Sequence, residues 1–251
     1  MKESDSQINE HNRVISDMFN DIAPKYDFLN GLLSIGIDKL WRKAVIKKLK
    51  KKNPTNILDI ATGTADLAIL ETRKISTCTV IGVDIAEQML QIGNIKIVKH
   101  NLQNRIQLQI ADGHNLPFDD NRFDATTIAF GLRNFENPIQ GVTEMYRVIK
   151  PNGTTIILEF TKSKNRLFQA LFALYFGKIL PLLGKLISKH SSAYSYLPNS
   201  VTDFNDKFNI SDIMKQEGFI NVKSKPLTFG VATLFCGTKP SSTNNNVVKE
   251  Q

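Results

Sequence analysis

Ile57-Leu58-Asp59-Ile60-Ala61-Thr62-Gly63-Thr64-Ala65-Asp66-Leu67 decides the fold. An apolar run ends in an acid, a tight turn of small residues follows, and a helical pattern begins. A strand that opens through such a turn into a helix is the nucleotide-binding corner of a doubly wound α/β sheet. Small residues let the backbone come close to a ligand. The helix N-terminus offers it free N–H groups.

The rest of the chain repeats this unit. Strands are expected at 56–60, 79–84, 106–110, 123–130 and 154–160, alternating with helices at about 66–74, 87–101 and 138–149. Such alternation implies a parallel sheet with right-handed crossovers. Ahead of it, residues 1–11 read as a flexible, frayed end, and a helical pattern starts near Asn12 with Val14, Ile15, Met18 and Phe19 on one face. Ala23-Pro24-Lys25-Tyr26-Asp27 is expected to break it, Pro24 opening a second helix. A third helix, about Asp38–Lys50, has an apolar side of Leu40, Trp41, Ala44, Val45 and Leu49 and an opposite face rich in lysine. After Phe160 the rhythm changes. Residues 164–187 read as amphipathic helices and 191–200 as irregular, together a helical insertion over about 164–200. A short helix near 211–217 and two closing strands, 219–226 and 228–238, complete one domain over 12–239, and 240–251 is a polar tail expected to be disordered.

The 251 residues suffice for one sizeable α/β domain, and 41% hydrophobic with 22% charged residues is an ordinary globular balance. The net charge of +8 leans towards an anionic partner or a lysine-rich solvated surface. The only cysteines, Cys78 and Cys236, match no metal or redox spacing and suit a reducing, cytoplasmic setting. The polar start does not read as a signal peptide, and Gln169, Lys178, Pro181 and Lys185 interrupt the most apolar stretch.

In open α/β sheets ligands bind at the carboxyl ends of the strands. Asp84 ends the second strand, where an acid can accept both hydroxyl hydrogens of a ribose; capping the next helix explains it equally. Asp112-Gly113 ends the third, where an acid can accept from an adenine amino group. Gly63 is the only glycine in the 57–67 turn, no cluster of lysine or arginine stands nearby, and no Gly-Lys-Ser occurs in the chain. A dinucleotide fingerprint wants three glycines. The loop suits a ligand without phosphates, such as S-adenosylmethionine. Contacts to it are expected at Asp59, Gly63, Thr64, Asp84, Asp112 and Gly113, and no metal-ligand spacing is present.

The 59–66 loop, Asp84 and the run from Asn115 to Asp124 resemble class I S-adenosylmethionine-dependent methyltransferases. That resemblance implies a Rossmann-like, seven-stranded, mostly parallel sheet with one antiparallel strand. Lys25-Tyr26-Asp27-Phe28-Leu29-Asn30, Leu40-Trp41-Arg42, Phe130-Gly131-Leu132-Arg133-Asn134, the run Met145–Gly153, Tyr194–Ser200 and Leu227-Thr228-Phe229-Gly230 are more specific. They resemble the quinone C-methyltransferases of menaquinone and ubiquinone biosynthesis. Ala61 and Ala65 stand where the superfamily often has glycine.

The resemblance implies methylation of a ring carbon on a prenylated hydroquinone such as demethylmenaquinol, without a metal. A benzoquinol of the ubiquinone pathway is the alternative ring. An aromatic carbon becomes nucleophilic when a ring hydroxyl loses its proton, so the site needs in-line placement, a proton acceptor and phenolate stabilisation. Arg133, Asn134 and Tyr26 are the implied catalytic residues. Arg133 would stabilise the phenolate or orient a water, or else form a structural salt bridge. Tyr26 and Asp27 would line a lid, or else cap and pack a helix; Tyr196 is a similar case. His114 reads as a loop histidine without a catalytic role, and His11 as unremarkable. The expected partners are the prenylated quinol, the inner membrane face through the lysine-rich helix and the 164–187 segment, and a second copy of the chain, but no nucleic acid. A nucleic-acid methyltransferase and a non-catalytic cofactor-binding protein are the rival classes.

Overall fold

The computed structural model describes residues 2–34, 36–163 and 192–241. Helices α1 (Lys2–Leu33) and α2 (Asp38–Leu49) precede an alternation of β1 (Asn56–Ile60), α3 (Asp66–Lys74), β2 (Thr79–Asp84), α4 (Glu87–Lys99), β3 (Ile106–Ile110) and β4 (Phe123–Ala129). A 3-10 turn at Leu132–Asn134, α5 (Pro138–Val148), β5 (Ile149–Phe160), α6 (Ser192–Lys207), α7 (Ile210–Gln216), β6 (Ile220–Leu227) and β7 (Ala232–Thr238) follow. The seven strands form one sheet in the order β3-β2-β1-β4-β5-β7-β6, with β7 antiparallel to both neighbours. The class expected from sequence is therefore the class observed.

Strand alternation divides the core. Ile57 packs with Trp41, Val45, Leu49, Leu67 and Leu158 on the α2/α3 face. Leu58 and Ile60 point to the other, with Val83, Ile128, Met145 and Phe235. Asp59 thus falls on the α2/α3 face, only 1% exposed. Strand order reverses between β1, which pairs with β2, and β4 on its other side, opening the crevice that open α/β sheets use for ligands.

Several local expectations are corrected. Helix α1 includes residues 2–11 and passes through Pro24 without ending. An interior proline costs about 3 kcal/mol; here Ala23, 2% exposed, packs on Ala86 and Met89 beside α4, and Phe19 meets Tyr26 edge-on across the proline. Tertiary packing wins over local propensity. In α2, Leu40 is 60% exposed, and Ile46 takes the core place with Trp41, Val45 and Leu49. The end of the 191–200 segment is helical: α6 contains Pro198, and its Val201 and Phe204 are buried. Strand β7 begins at Ala232, because Thr228, Phe229 and Gly230 all have left-handed φ. The expected 164–187 helices and most of the 240–251 tail lie outside the described residues.

Candidate functional site

The turn between β1 and α3 alternates hands. Ala61, Gly63 and Ala65 have φ of +50°, +55° and +62°. Left-handed backbone costs a non-glycine residue about 1–2 kcal/mol, so the two alanines keep a glycine-like path at some strain. The path is pinned by Asp84: one carboxylate oxygen accepts from Gly63 N at 2.8 Å, the other from Ala86 N at 2.9 Å. Burial raises the Asp84 pKa against those two bonds. Asp84 therefore builds the loop and holds Ala86, the residue at which α4 begins, and keeps lone pairs free towards the crevice.

A cavity of about 640 Å³ opens over this crevice. Gly63, Asp84, Asp112, Gly113, Tyr26 and Asn134 line it, as do Asn12, Ile15, Phe19, Ala129, Phe130 and Phe135. No lysine or arginine is among its lining residues. Gly113 is a close approach: a Cβ there would stand 2.3 Å from the Phe135 ring.

Asp112 is held on both oxygens. Oδ1 accepts from His114 N at 2.9 Å and faces His114 Nδ1 at 2.7 Å, and Oδ2 accepts from Asn12 Nδ2 at 2.7 Å. Burial pushes its pKa up, but the His114 and Asn12 bonds outweigh it and the carboxyl lies below its usual range. His114 Nε2 accepts from Asn137 N at 3.3 Å, which makes Nδ1 the donor to Asp112. His114 lines the main cavity and links Asp112 to the turn at Asn137.

Asp59 and Thr64 sit outside the main cavity and line a neighbouring one with Gly63. Asp59 accepts from Thr62 Oγ1 at 2.6 Å and Thr127 Oγ1 at 2.9 Å, and burial raises its pKa to about 6. Thr64 Oγ1 donates to Asp27 Oδ1 at 2.6 Å, and Lys96 Nζ reaches Asp27 Oδ2 at 2.9 Å. Asp27 thus ties α1 to the loop.

Asn134 lines the main cavity; Arg133 does not. The Arg133 guanidinium pairs with Glu159 Oε1 at 3.1 Å and with the Phe130 carbonyl, and both side chains of the ion pair are buried. Arg133 Nε has no hydrogen-bond partner among the described residues. Asn134 Oδ1 accepts from the Tyr196 hydroxyl at 2.9 Å, and its backbone carbonyl accepts from His11 Nε2 at 3.0 Å. Burial raises the Tyr196 pKa; Arg133 opposes this and Glu159 reinforces it.

Sequence reasoning missed His11 and Asn12, assigned to a frayed end or its boundary. A signal existed: Asn12, Ser16 and Asn20 recur every four residues, one polar stripe on a helix. Ser16 Oγ donates to the Ile85 carbonyl at 3.0 Å, and Asn20 Oδ1 accepts from Gln88 N at 2.9 Å. Among the described residues no group of three or more His, Cys, Asp or Glu side chains is placed to hold a metal.

A family model described as "ubiE/COQ5 methyltransferase family" matches residues 6–239. The chain is 44% identical over 225 residues to the "Demethylmenaquinone methyltransferase" of Bacteroides fragilis, covering 90% of this chain and 92% of the relative. It is 43% identical over 234 residues to the "Ubiquinone/menaquinone biosynthesis C-methyltransferase UbiE" of Geotalea daltonii, covering 93% and 99%. Two solved S-adenosylmethionine-dependent methyltransferases share the fold. SibL superposes with a TM-score of 0.60 at 15% identity, covering 85% of this chain and 58% of that one. One from Aquifex aeolicus gives 0.55 at 16% identity, covering 77% and 88%.

Proposed function

The chain belongs to the ubiE/COQ5 methyltransferase family, and from that premise we propose that it methylates a ring carbon of demethylmenaquinol, using S-adenosylmethionine. The observation that carries the cofactor is the main cavity, where acids end β2 and β3 and no lysine or arginine is in the lining. A bound S-adenosylmethionine supplies a methyl group on a sulfonium, already a good leaving group. The residues fit it: Gly63 lets the loop approach, Asp84 keeps lone pairs for the ribose hydroxyls, and Asp112 faces the adenine end. The naphthoquinol ring is favoured over a benzoquinol by the name of the Bacteroides fragilis relative.

The protein's own groups then divide the work. Tyr26, Phe19, Phe130 and Phe135 wall the cavity and keep water from the ring. Asn134, its carboxamide oriented by Tyr196, offers a hydrogen bond to the ring oxygen as its proton leaves and charge develops. Arg133, held by Glu159, fixes the 3-10 turn that places Asn134. It acts by positioning and not as the proton acceptor, since a guanidinium stays protonated.

Contact with an anionic membrane is a further part of this reading. Lys39, Lys43 and Lys47 are exposed on α2 and Lys50 at its C-terminal cap, and a prenyl tail brings the substrate to a bilayer. No described helix is long and apolar enough to cross it. The reading of the activity is tested with labelled S-adenosylmethionine and a reduced short-chain demethylmenaquinol, with RNA in a parallel reaction. Label is expected in the quinol. Label in RNA alone, or binding without transfer, overturns it.

A further inference from the structure

A second cavity, of about 380 Å³, adjoins the main one across the Ala61–Thr64 loop and shares Tyr26, Ala61, Gly63, Ala129 and Phe130 with it. The acids Asp84 and Asp112 line only the main cavity; Arg42, Asp59 and Asp66 line only the second. Arg42 is the one lysine or arginine in either lining. Its side chain is 11% exposed. Nη1 is committed to Asp38, one turn earlier on α2. Nη2 stands 3.7 Å from Asp66 Oδ2, too long for a hydrogen bond, which leaves that edge of the fork open. The Arg42 charge reaches the loop's acid: it draws the Asp59 pKa down against the burial that raises it.

Lys96 pairs with Asp66, which leaves one cation, Arg42, and one acid, Asp59, in a small cavity, the complement of a zwitterionic α-amino acid. We propose that Arg42 anchors the α-carboxylate at the amino-acid end of S-adenosylmethionine in this second cavity, while the adenosine occupies the main one. The anchor rests on the cofactor reading above. It gives the shared residues a meaning: the sulfonium lies at the join, beside Tyr26, Gly63 and Phe130. The ammonium of the same ligand faces Asp59, since Asp66 is already ion-paired with Lys96. The Arg42–Asp38 pair keeps the guanidinium from swinging out, so α2 serves cofactor recognition as well as the core.

The test is calorimetric titration of the full chain with S-adenosylmethionine and with its decarboxylated analogue, which keeps adenosine, sulfonium and amine. The wild-type protein is expected to prefer the carboxylate-bearing ligand by on the order of tenfold or more, the size of one charge-assisted hydrogen-bonded contact. Arg42→Gln is expected to weaken S-adenosylmethionine by that factor, to leave the analogue nearly unchanged, and so to abolish the preference. Equal weakening of both ligands means that Arg42 only supports the loop, and overturns the proposal; so does no weakening of either. A wild-type protein that binds both ligands equally overturns the anchor but not the cofactor. A wild-type protein that binds neither overturns the cofactor reading itself. Should Arg42→Gln fail to fold by circular dichroism, Arg42→Met, which keeps the packing of the stem, is read by the same two titrations.

Discussion

Glu71 is an uncomfortable residue. It is 0% exposed on α3, and both of its carboxyl oxygens lack hydrogen-bond partners among the described residues. The nearby hydroxyl of Thr127 has one proton, and it goes to Asp59. Burial, with Asp59 beside it, raises the Glu71 pKa well above the usual value. An acid whose pKa is higher folded than unfolded holds its proton more tightly when folded. Stability is then full below the unfolded pKa and falls as pH rises through the folded one. For Asp59 that window runs from 3.8 to about 6, and Glu71 extends it upward. Glu71→Gln removes its share. The variant is expected to melt higher than wild type at pH 8, and the two should converge near pH 4. Parallel curves across that range contradict the assignment. At the catalytic end, Asn134→Ala should lower kcat on the order of a hundredfold while S-adenosylmethionine Kd stays within about twofold. An unchanged kcat would remove Asn134 from the chemistry. These two residues differ in how far the sequence announced them. Asn134 follows a strand end, and its place in the main cavity's lining was readable from the sequence. Nothing around Glu71 marks it, because its burial is set by which face of β1 receives Asp59.

At the scale of elements, α1 is the closing piece. Asn12, Ser16, Asn20 and Asp27 bond in turn to Asp112, the Ile85 carbonyl, Gln88 N and Thr64, along the strand ends of β2 and β3 and the loop after β1. These polar bonds add to the apolar packing of Ala23 on Ala86 and Met89 and sit at the rim of the cavity. We predict that Asn12→Ala with Ser16→Ala speeds S-adenosylmethionine release in stopped-flow by about tenfold, one to two hydrogen bonds' worth, with little change in melting temperature. An unchanged release rate would mean that α1 does not gate the cavity. Much of this helix was hidden from local rules: Pro24 argues for a break, and only the packing of Ala23 and Tyr26 overrules it. The turn at Thr228–Gly230 is the converse case. Thr228 and Phe229 favour strands, yet three left-handed residues end β6 and delay β7.

For the whole molecule, the sheet was legible because the central parallel strands read as short apolar runs, the edge strand β3 alternates, and the crossovers from β1, β2 and β4 each carry a helical period. Asp59, Gly63, Thr64, Asp84, Asp112, Gly113, Tyr26 and Asn134 all line one or other of two adjoining cavities. For Arg133 the structural salt bridge, one of the two sequence alternatives, is what the structure shows; its partner was not legible, since Glu159 comes from β5 and pairing across a sheet leaves no local pattern. The lysine face of α2 gives a prediction at this scale. Replacing Lys43, Lys47, Lys48 and Lys50 with glutamine should weaken flotation with anionic liposomes at low salt, at roughly 1 kcal/mol per lysine near the surface. Equal flotation before and after removes α2 as the contact.

The central claim is transfer of a methyl group to a ring carbon. The reaction of the purified protein with S-adenosylmethionine labelled with 13C on its methyl group and a reduced short-chain demethylmenaquinol is read by carbon NMR of the extracted product. A labelled methyl resonance attached to the aromatic ring is the predicted result. A labelled methoxy resonance, or no labelled quinone at all, would contradict the claim.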